Sequence, residues 1–385
     1  MTSFVSTLSI VECLLLAAVV LFFTVEITYW GRLYGQPSRT VSRPPADETT
    51  DDWPGVSVIF AARNEYEQLQ THLPLLLEQD YPKFEIVVVN DCSDDDTELL
   101  LATLHKTWRN LVFRTIEKDD VFTHSRKMAL GIGVRAAAYD WLLFTDPNSR
   151  PPDRQWLRAM RRYFTDEKEI VIGYARMPDA PRWIRADHLM QAIHYAGVAR
   201  RRKAYMADAG NLAYRRSLFF DNRGFDVRVT DRLREDIVFI NKAATRANVA
   251  VASGKETTLE TRLRYTPKTW RRRRLAELRT FRLSDAGPYY PAAAENACRI
   301  LFFIATAGAA ANFAATPTIL SALAALLLVR CALLIAVCRR AGKQWGEKRL
   351  LAMCALWDLV APLFYFSLIA ATLCKPQRNV GKWTD

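Results

Sequence analysis

The sequence predicts an α/β domain on a mixed, mainly parallel sheet, flanked on both sides by transmembrane helices. Three observations carry that expectation. Short β-branched runs alternate with helical patterns through the middle of the chain. Polar clusters stand where three of those strands end, around Asn64, Asp91 and Asp146, and parallel sheets hold ligands beyond the carboxyl ends of their strands. Long apolar runs bound this region at both ends, which ties it to a bilayer.

The elements follow in order. Val5 to Ile27 is almost continuously apolar, with Glu12 and Glu26 as its formal charges, and roughly 20 such residues span a bilayer. No basic start, short apolar core or small-residue cleavage site marks it as a signal peptide, so 1–30 reads as a retained anchor and 31–53 as a linker. Val56–Phe60 is a strand that runs into Ala61-Ala62-Arg63-Asn64-Glu65, and Leu69, Leu73, Leu76 and Leu77 set a helical period after it. Glu85–Val89 is the next strand and ends in Asn90-Asp91-Cys92-Ser93-Asp94, where carboxylates in a first turn favour a helix start. Leu111–Thr115 and Trp141–Phe144 complete the apolar strands of this half. Strand and helix repeated at this spacing argue a parallel sheet covered on both faces.

From Cys298 the composition turns apolar again, at Cys298–Ala315, Ile319–Cys338 and Leu350–Cys374. With the first segment these make four expected spans, three of them in 298–374. The loop Asn312–Pro317 carries no charge, whereas the next holds Arg339, Arg340, Lys343, Lys348 and Arg349. The positive-inside bias places that basic loop, and with it the 31–297 region, in the cytosol. The tail 375–385, with Lys375, Arg378 and Lys382, then falls outside against the bias, unless the last segment is re-entrant. Six of the seven cysteines lie in or beside apolar segments and Cys92 stands alone in the soluble region. That leaves no disulfide framework and no Cys-x-x-Cys metal site, as in a reducing compartment.

A net charge of +12 points to an acidic partner. The runs Arg200-Arg201-Arg202-Lys203 and Arg271-Arg272-Arg273-Arg274 suit lipid headgroups or a phosphate, and membrane segments on both sides argue against nucleic acid. The five histidines show no paired ligand spacing and no Ser-His or Cys-His arrangement, which argues against a hydrolase. Each polar cluster alone has an ordinary alternative, as a turn or a helix cap. Three of them at the ends of strands in one sheet make a site.

These residues resemble family 2 glycosyltransferases, above all their bacterial membrane-bound members. The resemblance rests on Val56–Glu65, Glu85–Thr97, Lys127–Leu130, Trp141–Pro151, Gly210–Phe219 and Glu235–Ala244, in that order, and covers about 54–280. It implies a GT-A fold, a Rossmann-like nucleotide-binding half followed by an acceptor half on one mixed sheet. Ala61, Asn64 and Glu65 would line the nucleotide pocket and Asp91 would receive the base or ribose, as a carboxylate accepts from N–H and hydroxyl groups. Lys127 would approach the donor's phosphates; the alternative is a solvated helix-face lysine. Asp146-Pro147-Asn148 stands at the family's Asp-x-Asp position, where oxygen ligands hold Mg²⁺ or Mn²⁺ against the leaving diphosphate. Asn148 departs from that pattern and brings an amide oxygen without charge, which weakens the expected metal site. Gly210 would allow close backbone approach to the donor sugar, and Asn211 would meet hydroxyls.

In the same resemblance Asp236, with Glu235 beside it, would take the acceptor hydroxyl's proton in an inverting displacement; a helix start is the alternative reading of Glu-Asp before an apolar run. The family's processive members carry Gln-x-x-Arg-Trp, whereas this chain has Lys268-Thr269-Trp270-Arg271-Arg272-Arg273-Arg274. Trp270, Arg273 and Arg274 could stack on sugar and pair with acceptor or diphosphate, and 268–297 could equally lie as an amphipathic helix in the headgroup layer. The expectation is a glycosyltransferase domain at 54–267 in a bacterial inner membrane, serving cell-envelope polysaccharide synthesis. It would move sugar from a nucleotide donor, UDP-linked, to a lipid-linked or membrane-proximal glycan. Two alternatives remain: a donor-binding pseudoenzyme that scaffolds a partner, motivated by Asn148, and a lipid transporter, for which Glu12, Glu26, Arg330 and Asp358 are the intramembrane candidates.

Overall fold

A computed structural model describes residues 9–35, 53–118, 125–225, 234–281 and 290–374. The tail 375–385, most of the 31–53 linker and residues 282–289 of the expected headgroup segment lie outside the described residues. Helix α1 (Ile10–Thr28) runs directly into a π-helical turn, Tyr29–Tyr34. The soluble domain follows as β1 (Val56–Ala62), α2 (Tyr66–Leu77), β2 (Phe84–Asp91), α3 (Thr97–Thr107), β3 (Leu111–Ile116), α4 (Arg126–Ala136) and β4 (Trp141–Phe144). Its second half contains β5 (Ser149–Arg150), α5 (Trp156–Arg161), β6 (Ile170–Ile172), β7 (Ala175–Arg176), α6 (Arg182–Arg201), β8 (Leu212–Arg215) and α7 (Arg216–Asp221). Then come α8 (Glu235–Ala243), β9 (Val249–Val251), β10 (Leu259–Thr261) and α9 (Pro267–Thr280), before α10 (Tyr290–Asn312), α11 (Pro317–Gln344) and α12 (Leu351–Cys374).

The main sheet has the order β3-β2-β1-β4-β8-β6-β9. The first four strands are parallel, β8 is antiparallel to both β4 and β6, and β9 returns parallel to β6. All four strands expected from the sequence are present. Their alternation explains the two-sided cover: Ile59 and Val87 face one apolar cluster, while Val58, Phe60, Ile86 and Val88 face the other. Each such side chain contributes about 1.5–3 kcal/mol on full burial. Gly133 lets α4 lie close against the sheet, because a Cβ there would stand 2.6 Å from Ile59 Cγ2. At the opposite end of the strands the buried Ser57 donates to Glu85 (2.6 Å), which also accepts from the Ala138 N–H (2.6 Å), so the polar atoms buried there are paired. A small second sheet, β5-β10-β7, lies beyond β4.

Among the described residues three helical segments are long and apolar enough to cross a membrane: Ile10–Tyr34, Pro317–Gln344 and Leu351–Thr372. The expected fourth, over Cys298–Ala315, is not among them. The helix over the remaining run, α10, carries Glu295 and Arg299 in its first half. Its apolar part, Ile300 to Ala311, gives only about 18 Å of helix, short of the ~30 Å hydrocarbon core. Exposed Leu14, Leu21, Leu328, Leu363 and Phe366 give the spans lipid-facing surfaces.

Inside the bundle Arg330 on α11 pairs with Glu26 on α1 (2.7 Å) and with Asp358 on α12, which also meets Arg299 on α10 (3.1 Å). These groups are buried against one another and cross-link four helices. Glu12 caps the start of α1 through Ser9. Glu26, Arg330 and Asp358 are thus paired inside the bundle, while Glu12 stays at its exposed end. The loop after α11 docks on the soluble domain, where Trp345 stacks on Tyr174 (4.8 Å between centroids) and Glu347 meets Arg185 (2.6 Å). The basic loop and the domain thus share one side of the bundle, as the charge bias requires.

Candidate active site

Left-handed backbone at Asn64 (φ 55°) and Cys92 (φ 47°) turns the chain sharply beyond β1 and β2, a conformation that costs a non-glycine residue energy and collects at functional sites. The two turns hold each other. Asn64 N–H donates to Ser93 Oγ (3.0 Å), and its side-chain oxygen accepts from the Asp94 N–H (2.8 Å). Asn64 is thereby used in shaping the pocket wall. Ala61 sits half-buried near the end of β1, and Asp91 is buried at the end of β2. Burial pushes the Glu65 carboxyl up to about 7, and the nearby charges of Asp146 and Asp95 push in the same direction.

Beyond β4, Ser149 N–H donates to the Asp146 carbonyl (3.0 Å) and Thr145 Oγ1 to the Gly210 carbonyl (3.2 Å). A Cβ on Gly210 would stand 3.3 Å from Asp146 Oδ2 and 3.3 Å from the Ala175 Cβ. Glycine is thus what lets this backbone approach the carboxylate. Asn148 is buried, and its Oδ1 has no hydrogen-bond partner. Among the described residues no three His, Cys, Asp or Glu side chains gather around a metal position. The oxygens that fit a hard divalent cation are the Asp146 carboxylate and this orphaned Asn148 amide oxygen.

Arg126, at the start of α4, joins the strand end to the second half of the domain. Its guanidinium reaches Asp146 Oδ1 at 2.8 Å and Glu235 Oε1 at 3.0 Å. Ser125 starts that helix by accepting from the Met128 N–H, which sets Arg126 in the first turn. Burial raises the Glu235 carboxyl, Arg126 pulls it back, and Asp236 raises it again. Asp236 lies in the fork of Arg234, with Nε to Oδ1 at 2.9 Å and Nη2 to Oδ2 at 2.8 Å. Further out, Arg273 bridges Asp208 (3.3 Å) and Glu277 (3.5 Å). Burial alone would raise Asp208, but His188, Arg273 and Arg234 hold it below the usual carboxylate range. Its Oδ1 accepts from the Gly210 N–H (3.2 Å), so the charge network ends on the same glycine that faces Asp146.

The structure gathers Glu65, Asp146, Gly210 and Glu235, with Asp236 next to Glu235. It uses others differently. Asn211 is fully buried; its amide NH₂ donates to the carbonyls of Tyr174 (3.1 Å) and Thr257 (2.8 Å), and its Oδ1 has no hydrogen-bond partner. Trp270 and Arg274 are buried as well. Both donate to Asp187, at 2.9 and 2.8 Å, which turns this face of α9 into the protein and not into a headgroup layer or sugar cleft. Of the three expected acceptor contacts, only Arg273 reaches the Asp208–Gly210 segment. Arg126 is the group pairing Asp146, where its neighbour Lys127 was expected to face the phosphates. The signal for Arg126 was its place directly after the Ser125 cap; Arg234 and Asp208 left none beyond their adjacency to Glu235 and Gly210.

A nucleotide-type half-sheet, an acidic motif at its central strand end and a second carboxylate pair brought in by an arginine define a GT-A transferase domain. Residues 57–221 match the family described as Glycosyl transferase family 2. Poly-beta-1,6-N-acetyl-D-glucosamine synthase of Staphylococcus aureus (strain COL) is 24% identical over 135 residues, which cover 35% of this chain and 29% of that protein. The same-named protein of Staphylococcus epidermidis is 28% identical over 95 residues, 25% of this chain and 22% of that one. The chain thus aligns with less than a third of the length of these curated relatives. A mannosyltransferase of Pyrobaculum calidifontis, solved with GDP-Man and Mn2+, shares the fold at a TM-score of 0.57 and 21% identity, over 90% of this chain and 98% of that one.

Proposed function

We propose that this chain is a membrane-bound, inverting glycosyltransferase that takes sugar from a nucleotide donor, UDP-linked, to a lipid-linked or membrane-proximal glycan. The observation that carries this reading is Arg126, which holds the carboxylates of the two acidic motifs, Asp146 and Glu235, on one guanidinium. In this reading the donor's base lies toward Asp91 and its diphosphate toward Asp146 and Gly210. Arg126 stands ready to meet the negative charge that grows on the leaving diphosphate. Asp146 and Asn148 would hold a divalent cation, which when bound adds charge at the same diphosphate. Asp236 takes the acceptor hydroxyl's proton. Arg234 fixes its carboxylate plane while filling two of about four acceptor positions, so capacity remains for the hydroxyl.

The three apolar spans support acceptor chemistry at a bilayer, and the relatives' printed name, a polysaccharide synthase, supports a glycan product. The catalytic domain is then cytosolic on a bacterial inner membrane. A scaffold that binds donor without turnover has one observation in its favour: the single carboxylate of the Asp146-Pro147-Asn148 motif is already paired with Arg126. The test is turnover of a nucleotide-sugar panel by purified protein, with and without Mn²⁺, against Asp236→Asn. Loss of about 10²-fold or more in kcat on substitution supports the base. Full activity in the variant sinks the Asp236 role, and donor binding without turnover in the parent favours the scaffold.

A further inference from the structure

Where α1 leaves its apolar run, the structure opens a cavity of about 490 Å³. Five of its lining residues are arginines: Arg32 from the π-helical turn, Arg200, Arg201 and Arg202 from the end of α6, and Arg246 from the turn before β9. Thr28, Tyr29 and Leu33 complete the lining, and among the described residues no carboxylate lines the cavity. None of the five forms an ion pair among the described residues; Arg200 alone is anchored, donating to Ser253 Oγ at 2.8 Å. Burial lowers Arg200 to about 10, as expected of a cation kept from water without a counter-charge. Buried and half-buried arginines elsewhere pair with carboxylates at Asp146, Asp187, Glu277 and Asp358, whereas Arg32, Arg201, Arg202 and Arg246 are exposed at the mouth of this cavity.

The walls are closely packed. Gly197 brings α6 against the π-helical turn, where an added Cβ would stand 2.6 Å from the Leu33 carbonyl oxygen. Tyr34 stacks on His194 at 4.4 Å between centroids, and Trp30 meets the same ring edge-on at 5.7 Å. π-helical turns of this kind recur at functional sites. Since the span Ile10–Tyr34 ends beside the cavity, the guanidinium cluster stands at the level where that span meets the soluble domain. The anionic group present at that depth is the phosphate of a lipid, and fork-shaped guanidinium groups match phosphate oxygens two at a time.

We propose that this arginine cavity binds the phosphate of an anionic membrane lipid, with Arg201 and Arg202 as principal contacts and Arg32 and Arg246 as flanking ones. The site requires α1 to lie in the bilayer and is independent of the sugar-transfer reading. The experiment is a thermal-stability titration of the full chain in detergent micelles with short-chain phosphatidic acid, with phosphatidylcholine of equal chain length, and with inorganic phosphate. The parent is expected to be stabilised by phosphatidic acid and not by phosphatidylcholine. Arg201→Gln with Arg202→Gln raises the half-saturating concentration about tenfold or more. Arg271→Gln with Arg272→Gln, the same charge removed from an exposed face of α9, changes it less than about twofold. Arg246→Gln, on an exposed turn, gives an independent rise of about threefold should the double variant misfold. Equal losses in the two double variants reduce the effect to general surface attraction and overturn the site. Equal stabilisation by phosphatidylcholine overturns it as well, and inorganic phosphate acting at the same concentration would make the ligand a soluble anion.

Discussion

Asp187 is where the soluble domain and the membrane bundle share one acceptor, and changing it to asparagine tests that junction. Oδ2 accepts from Trp270 Nε1 (2.9 Å) and Arg274 Nε (2.8 Å), both on α9. Oδ1 accepts from Trp357 Nε1 (2.8 Å) and Tyr365 OH (2.9 Å), both on α12. The carboxylate is buried with all four donors around it. An amide keeps one oxygen and presents an NH₂ to the other pair of donors. The less costly orientation turns the NH₂ toward α12, where the tyrosine hydroxyl can rotate to accept, but the Trp357 N–H loses its partner at about 1–3 kcal/mol. Arg274 loses one of its two counter-charges and keeps Glu277 (2.6 Å), a further ~1.5–3 kcal/mol for a charged hydrogen bond made neutral. The sum is about 2.5–6 kcal/mol. At about 2–4 °C per kcal/mol for a domain of this size, Asp187→Asn should lower the midpoint of thermal unfolding by about 10 °C. Tryptophan fluorescence in detergent reads it directly, since Trp270 and Trp357 are reporters in the affected cluster. A drop below about 2 °C would refute the reasoning that this carboxylate holds the two parts together.

Arg126→Lys should reduce kcat/KM for the donor about 10–100-fold, because an ammonium cannot span Asp146 and Glu235 as a planar guanidinium does; steady-state kinetics within about twofold of the parent would exclude a role at the diphosphate. His194 supplies a pH prediction. Burial lowers its imidazole to about 3, so the folded protein stays neutral there while the unfolded chain takes a proton near pH 6.5. A depressed folded-state pKa means stability falls as pH falls through the window from about 6.5 to 3. Between pH 7.5 and 5.5 this group alone removes about 1.3 kcal/mol. Comparing the parent with His194→Gln by unfolding at the two pH values measures that loss, and equal slopes would show that His194 does not contribute.

Much of the fold was legible because it is written locally. A strand buried on both faces needs an unbroken apolar run, and a membrane span needs length, so β1, β2, β4, α1, α11 and α12 stood in the sequence by composition alone. Asp146 and Asn64 were legible for a related reason, since a polar residue directly after a buried strand must emerge at the sheet's edge. Composition and helix phase disagree at the apolar run after Cys298, whose helix begins at Tyr290, carries Glu295 and Arg299 and ends at Asn312.

What the sequence by itself determined was therefore the order of elements, the kind of domain, and the strand ends at which charge collects. Only the tertiary structure decided which side chains enter the site. Arg126 and Lys127 are neighbours in one basic pair, and the seating of α4 on the sheet, allowed by Gly133, brings the Arg126 guanidinium between Asp146 and Glu235. Trp270 and Arg274 looked equally suited to a lipid surface or a sugar, until Asp187 on α6 supplied the buried acceptor that draws them inward. The arginine cavity, too, is assembled from residues near 30, 200 and 246. Periodicity encodes which face of an element is apolar, but a site made of several elements depends on their packing angles and register, and those are fixed by contacts between distant parts of the chain.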